Sequence, residues 1–585
     1  MLEIGTGSAD ITAFYKEVGM MGYGMAHQKV EAIETPLYCR AFIFNDTISG
    51  KKFAFVNAEI CFITIAIKKA VISSLKQEVP NAAYDYDNVM LTAQHTHSGP
   101  GGYSHYALFN FSIPGFVPEV FNTIVKGISD SIIEAENNLK PGKLKLGSGI
   151  FDPKINVAFN RSMPAYNSNP DVEKLKDKDW HLAVDREMDV LQINAENDEP
   201  IGMINWFGVH TTTVGSDLRK ICYENKGYAS AFFEEELSVK NKNFLAVFAQ
   251  APCGDVMPNF IWEEKRNKMR GNFPDDYKSA KYNGKLQFEK AIEIYQGLSE
   301  SEHLKDTSID YGLMYVDFSN VEIDEAFIPE SKKSDKNKPR TSPACMGVAF
   351  FKGTVDGRGI SDSLANFATT LCRTRKYAEQ FKSLFSSKEE FKIMNRKYEA
   401  QGVKDILMET GERRVLGKRN INKLGLLSIL DKSMETMKKQ YSNGSLDNNA
   451  WTPQVLPLQF FILGNIAIIG IPAEVSVVSG RRFKKTIEEI LIKRGVSKVI
   501  IAPYANCYSG YITTYEEYQH QLYEGGHTVF GEWTQAAYST KIKLMANEML
   551  KREPERDFDT KTQPEDFSEN DIANRSFYVN GVKKF

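Results

Sequence analysis

The 585-residue chain predicts an α/β fold, and two features of its sequence carry that prediction. Continuous apolar runs of strand length recur along it, as expected of strands buried on both faces. Segments with the apolar spacing of helices lie between those runs. Such interleaving fits neither a helical bundle nor a β-sandwich. In chain order, strands are expected at residues 53–58, 88–93, 203–209, 244–249, 458–463, 466–471 and 499–503, and helices at 120–139, 280–298 and 479–493.

Composition narrows the class. Hydrophobic residues make up 42% and charged residues 25%, ordinary values for a globular protein. With a net charge of −3, a pI near 6.4 and no long basic tract, a nucleic-acid partner is not expected. No apolar run reaches about 18 residues, so no transmembrane helix is expected. The N-terminus, Met1-Leu-Glu-Ile-Gly-Thr-Gly, lacks a basic region followed by an apolar stretch. It therefore does not read as a signal peptide, and the compartment is left open. The seven cysteines (39, 61, 222, 253, 345, 372 and 507) show no CxxC spacing, which argues against a disulfide scaffold or a cysteine-based zinc site. A metal would have to use histidine, carboxylate or phenolate. Residues 1–550 are expected to form one domain, with 328–341 a polar, lysine-rich surface loop; 551–585 read as a charged, mobile or peripheral tail.

Chemistry is concentrated where apolar runs end. His95 and His97 follow the run 88–93 and precede Ser98-Gly-Pro-Gly-Gly. On a strand, residues i and i+2 share a face, so both imidazoles would aim at one point beyond its end. The glycine-rich turn lets backbone approach that point closely. The pair is a natural start for a metal or acid–base site. His210 ends the run 203–209 in the same way, although a lone imidazole there is ordinarily a hydrogen-bonded core residue. Glu474 follows Ile466-Ala-Ile-Ile-Gly-Ile and reads either as a helix N-terminal charge or as an oxygen ligand. Tyr508, Tyr511, Tyr515, Tyr518 and Tyr523 crowd one stretch. Their rings could simply pack; a phenol beside a divalent cation could also ligate it or shuttle protons. Arg161 could polarise a carbonyl or anchor an anion, and Asp255 could support a ligand or merely form a turn.

Taken in order, these segments resemble the neutral ceramidase family, zinc-dependent amidases that cleave ceramide. The likeness rests on 5–12, 20–28, His95-Thr-His-Ser-Gly-Pro-Gly-Gly-Tyr, Asn160-Arg-Ser, Asn225-Lys-Gly-Tyr and Gly254-Asp-Val-Met-Pro-Asn. It continues through Gly353-Thr-Val-Asp-Gly, Pro472-Ala-Glu-Val-Ser with Gly480-Arg-Arg, and Tyr511 to Tyr523. The resemblance implies a large α/β, mixed-sheet catalytic domain with helices packed outside. It implies zinc held by His95, His210, Glu474 and Tyr511. It makes His97 a partner of the substrate or of the nucleophilic water, and Arg161 and Tyr523 the groups that bind and polarise the amide carbonyl; Asp255 is counted with these catalytic candidates. The family usually adds an immunoglobulin-like C-terminal domain. The roughly 60 residues after Tyr523 are too few for such a sandwich, so none is expected. A further Mg²⁺ or Ca²⁺ site receives no placement.

One departure matters. Where the family carries a serine assigned as nucleophile or hydrogen-bond donor, this chain has Met257, whose thioether has no proton to give. The expected activity is hydrolysis of an N-acyl amide, ceramide or a ceramide-like lipid, by metal-activated water. The alternatives are hydrolysis of another amide or an ester, or a non-catalytic metal-containing lipid-binding protein. Expected partners are a lipid or another N-acylated small molecule, with peripheral membrane contact. Phe109, Phe111, Phe116 and Phe121 could line an acyl groove, though core packing is their ordinary role.

Overall fold

The structure is a computed structural model that describes residues 1–333, 338–385, 387–423, 432–559 and 561–579. Its largest sheet has eight strands: β1 (Leu2–Asp10), β2 (Tyr38–Asp46), β3 (Lys51–Ala58), β4 (Val89–Ala93), β5 (Lys140–Ile150), β6 (Glu187–Ala195), β7 (Pro200–Phe207) and β8 (Leu245–Gln250). They lie in the order β8-β7-β6-β5-β1-β2-β3-β4. A second sheet holds β9 (Ile309–Asp317), β10 (Val455–Leu463), β11 (Ile466–Gly470) and β12 (Lys498–Ala502), in that order. Most neighbours are antiparallel; β3/β4, β7/β8 and β11/β12 are the parallel pairs of these two sheets. The mixed-sheet α/β architecture expected from the sequence is the one observed.

Each parallel pair needs a crossover helix. These are α1 (Ile65–Glu78), α3 (Glu224–Leu237) and α7 (Val477–Leu491); α2 (Pro118–Asn137), α4 (Asp276–Gly297) and α8 (Thr534–Met549) complete the covering layers. Two further helices, α5 (Asp362–Ser383) and α6 (Lys388–Gln401), form a hairpin.

Alternation along each strand divides the core. Phe42, Phe44, Phe53 and Phe55 face Phe461, Leu463, Ile466 and Ile468 of the other sheet, with the Phe53 and Phe461 rings 4.3 Å apart. The intervening Ala41, Ile43, Ala54 and Val56 pack under α1, α2 and α3. Across the smaller sheet, Phe460, Ile469 and Ile501 pack under α7 and α8. Burial on both sides explains the uninterrupted apolar runs. Strand β7 stops before Gly208, where a Cβ would come within 2.5 Å of the Pro252 carbonyl oxygen.

The large sheet curls enough to bring its opposite edges together. The Gln250 amide, at the end of β8, donates to Gln94 O just beyond β4 at 2.9 Å, and to Val209 O at 2.7 Å. Of the lysine-rich loop 328–341, residues 334–337 lie outside the described residues; Glu322 and Arg340 pair at its base. The charged segment from 551 is docked where it is described, 560 and 580–585 excepted. Phe116 N donates to Arg575 O, Phe577 N to Phe116 O, and Arg575 Nη1 to His105 O at 2.7 Å. No helix among the described residues is long and apolar enough to cross a membrane.

Candidate metal centre

The ends of one strand from each parallel pair converge. His95 lies two residues beyond β4, His210 three beyond β7, and Glu474 four beyond β11. The strand geometry expected for His95 and His97 is replaced by a turn. β4 ends at Ala93, and His95 takes a left-handed backbone, φ 79°. A β-carbon makes that region costly by about 1–3 kcal/mol, so surrounding contacts must impose it. His95 N donates to Ile60 O at 3.0 Å, and Thr211 Oγ1 closes on His95 O.

Both imidazoles are oriented through Nδ1. His95 Nδ1 lies 2.7 Å from Cys61 O, and His210 Nδ1 lies 2.7 Å from Cys253 O. A carbonyl can only accept, so each ring is protonated at Nδ1 and presents a bare lone pair at Nε2. Those lone pairs face a carboxylate: Glu474 Oε2 stands 3.0 Å from His210 Nε2 and 3.5 Å from His95 Nε2. All three side chains are at most 3% exposed. In that tautomer three buried acceptors converge, and a cation or a proton must lie between them. Two imidazole nitrogens and one carboxylate oxygen are the donor set zinc prefers. The residues therefore fit the ion the family implies. Burial would raise the Glu474 carboxyl, yet the two histidines, when protonated, hold it well below the usual range. Burial, with Arg161 next, pushes His210 down.

Tyr511 sits beside Glu474 because residues 474–475 and 511–512 pair in parallel register. Its hydroxyl accepts from Arg161 Nη2 at 3.1 Å, and burial raises its pKa well above the ordinary value. His97 reaches the centre from the side, its Nε2 3.0 Å from His95 Nε2. It stands edge-on to Tyr23, ring centroids 4.7 Å apart, and its buried Nδ1 has no partner among the described residues.

Arg161 is clamped. Nε donates to Glu524 at 2.8 Å and Nη2 to Gly254 O at 2.9 Å, while Asp356 Oδ1 lies 3.8 Å from Nη1. The guanidinium lies 5.6 Å from the Tyr523 ring centroid, and that ring stacks on Phe350. The half-buried Tyr523 hydroxyl has no hydrogen-bond partner among the described residues. Asp255 is placed differently from the other candidates. Its carboxylate accepts from Asn160 Nδ2 at 2.7 Å and from Val477 N at 2.9 Å, which makes it a support for α7, not a group turned toward the imidazoles. Burial pushes its pKa up to about 6. Met257 is fully buried in a two-residue strand paired with Phe159–Asn160. Of the four phenylalanines, Phe109 meets the Tyr508 ring, whereas Phe116 and Phe121 pack with His105.

Several contributors escaped sequence reasoning. Tyr504 stacks on His95 at 4.1 Å, its hydroxyl 3.4 Å from Glu474 Oε2; Tyr508, which the tyrosine-rich stretch already offers, donates to the other carboxylate oxygen. Glu524 and Asp356 hold Arg161, and Asp356 also accepts from Thr212, two residues after His210. The available signal for Asp356 was its glycine-flanked turn; Glu524, next to Tyr523, carried none. Among the described residues, each cluster of three His, Cys, Asp or Glu side chains close enough to hold an ion includes His95, so a separate Mg²⁺ or Ca²⁺ site of that kind has no candidate.

Comparisons with known proteins agree on one likeness. A family model described as neutral/alkaline non-lysosomal ceramidase, N-terminal, matches residues 2–429 and 432–540. The neutral ceramidase of Pseudomonas aeruginosa is 34% identical over 554 residues, covering 94% of this chain and 72% of the relative. Neutral ceramidase A of Dictyostelium discoideum is 30% identical over 580 residues, with coverages of 94% and 72%. The crystal structure of the Pseudomonas aeruginosa protein superposes with a TM-score of 0.73 at 32% identity, over 94% of this chain and 74% of that one. A ceramidase complexed with C2 gives 0.77 at 32% identity, over 97% and 77%.

Proposed function

The chain belongs to the neutral/alkaline non-lysosomal ceramidase family, and from that premise we propose that it hydrolyses the amide of ceramide, or of a ceramide-like N-acyl lipid, at the His95–His210–Glu474 centre. The observation that carries the proposal is the convergence of two Nδ1-anchored imidazoles on one buried carboxylate. Zinc held by His95, His210 and Glu474, with Tyr511 beside them, would supply a Lewis acid that polarises a carbonyl and lowers the pKa of water toward about 7.

The chain's own groups do the rest. Arg161 through Nη1, and Tyr523 through its hydroxyl, donate to the amide oxygen as negative charge gathers on it. Glu524 and Asp356 keep the guanidinium in place and prevent it from being an unpaired buried charge. His97 keeps an unpartnered Nδ1, which takes up a proton and passes it to the departing amine. Met257 contributes no proton and no nucleophile, so a covalent serine route through that position does not operate. Tight packing around the imidazoles excludes bulk water and strengthens each of these electrostatic contacts.

Metal analysis joined to a fatty-acid release assay on an N-acylated sphingoid base tests the reading. One zinc per chain with release, both lost in His210→Ala, is the expected result. Full turnover by metal-free protein would refute it. Turnover confined to other amides or esters would reassign the substrate, and zinc without turnover would leave lipid binding.

A further inference from the structure

The hairpin α5–α6 carries a feature that the site does not use. Tyr377 and Phe381, at i and i+4 on the last turns of α5, share one face of the helix, and Leu384 and Phe385 directly follow its end in the turn that continues from it. That face points to solvent. Exposure runs from 64% at Leu384 to 79% at Phe385, and Ile393 on α6 adds another 61%. Among the described residues the Phe381 and Phe385 rings have only each other as aromatic neighbours, 5.5 Å apart. The opposite face, with Ala365, Ala368 and Cys372, supplies the helix's buried packing. Hydrophobic residues scattered singly over a surface need no explanation, but a contiguous aromatic stripe on a projecting tip does.

The charge around it is as unusual. Between residues 373 and 396 stand seven basic residues against three acidic ones, in a chain whose net charge is −3. Lys382, Lys388 and Lys392 are exposed beside the stripe. Bulky apolar side chains flanked by lysines are the composition of an interfacial membrane element, in which rings enter the acyl boundary while ammonium groups meet anionic headgroups. A second copy of this chain fits poorly, because a two-fold contact between tips would set like charges face to face.

The feet of the hairpin stand on the wall that carries Tyr523. Gln401 donates to Val529 O at 2.9 Å and Lys404 to Thr528 O at 2.6 Å; just ahead of α5, Phe350 stacks on the Tyr523 ring. We propose that the tip of the α5–α6 hairpin, through Tyr377, Phe381, Leu384, Phe385 and Ile393, docks this protein on anionic lipid bilayers. The inference deepens the proposed function by naming where the enzyme meets its lipid, and it rests on that reading only for its purpose.

Co-sedimentation of the full chain with phosphatidylcholine vesicles, with and without one quarter phosphatidylserine, tests it. Binding is read without turnover, so failure of the proposed reaction would not obscure the result. The wild-type chain is expected to bind the phosphatidylserine vesicles and to be released by salt. Phe381→Ser combined with Phe385→Ser should weaken binding at least about tenfold. Lys388→Glu combined with Lys392→Glu should weaken it to a similar degree, on the anionic vesicles only. All these positions are exposed, and both variants should turn over a soluble short-chain N-acylsphingosine as the wild type does. Absence of wild-type binding to either vesicle, or unchanged binding by the phenylalanine variant, would overturn the proposal. So would a concentration-dependent dimer abolished by the same phenylalanine substitutions.

Discussion

His97 owes its position to the absence of a side chain. Gly22 has φ +119°, and a Cβ built there would come within 2.5 Å of the His97 ring. Tyr23, the next residue, supplies the edge-on contact and bonds through its hydroxyl to Val214 O at 3.0 Å. Gly22→Ala is therefore strained twice, by its backbone and by the imidazole it would push. The ring has nowhere to retreat without leaving His95. Displacing a proton-transfer group by about 1 Å costs on the order of 10²-fold in rate. Gly22→Ala should thus lower kcat/KM by about 10²-fold while metal content, which depends on His95, His210 and Glu474, stays at the wild-type level. Steady-state kinetics beside metal analysis checks this; a wild-type rate would mean that His97 does not act from this position. The left-handed His95 obeys the same logic, since its strain persists only because Ile60 O and Thr211 fix the backbone around it.

The first turn of α7 sets where Glu474 can stand. Ser476 is its N-cap: the side chain accepts from Ser479 N at 3.3 Å and donates to Glu517 at 2.7 Å, while Asp255 accepts from Val477 N. Burial, and then the nearby Asp255, pushes Glu517 up to about 8. Ser476→Ala removes the cap and leaves Glu517 one donor short. The loss of a cap costs about 1 kcal/mol, and changing a group that supports a ligand costs about 10–100-fold in metal affinity. Both losses should appear together, in denaturant unfolding and in competition with a chelator; an unaltered metal affinity would separate the cap from the centre. Elements were unequally legible in the sequence. Strands β3, β4, β7, β8, β10, β11 and β12 announced themselves because both faces are buried. By contrast β5, Lys-Pro-Gly-Lys-Leu-Lys-Leu-Gly-Ser-Gly-Ile, carries lysines and glycines on its half-exposed positions and gave no run to find. Helices α5 and α6 have a solvent-facing aromatic stripe, which blurs the apolar periodicity. His95, His210 and Glu474 could be singled out because each follows an apolar strand. Nothing local marks Tyr504 or Glu524, whose roles exist only once residues hundreds of positions apart are folded together.

At the scale of the whole molecule, the centre lies on the seam between the two sheets. His95 and His210 follow opposite regions of the large sheet, while Glu474 and Tyr511 belong to the part of the chain that builds the small one. The hydrophobic layer between the sheets ends close by, at Met90 and Ala505 beside Gly470. A cation held there would do more than chemistry, because it would add a tie among three crossover units that also meet through packing and through hydrogen bonds such as Gly254 N to Val475 O, Leu91 N to Asn506 Oδ1 and Thr211 Oγ1 to His95 O. Its removal would leave the His95 and His210 lone pairs facing Glu474 in a buried site, so that the sheets would part slightly or the cluster would take up a proton. Ligand linkage gives the scale: a metal at about 100 times its dissociation constant stabilises the folded state by about 2.7 kcal/mol. Chelation should accordingly lower the melting temperature by a few degrees and speed hydrogen exchange at residues 94–99 and 473–476, while the helices over the far faces stay protected. Zinc, added back, should restore both. Calorimetry and exchange on the same samples separate a staple from a mere passenger: metal loss with unchanged melting and unchanged exchange would mean that the sheets hold together without it, and that the ion's role is confined to the reaction.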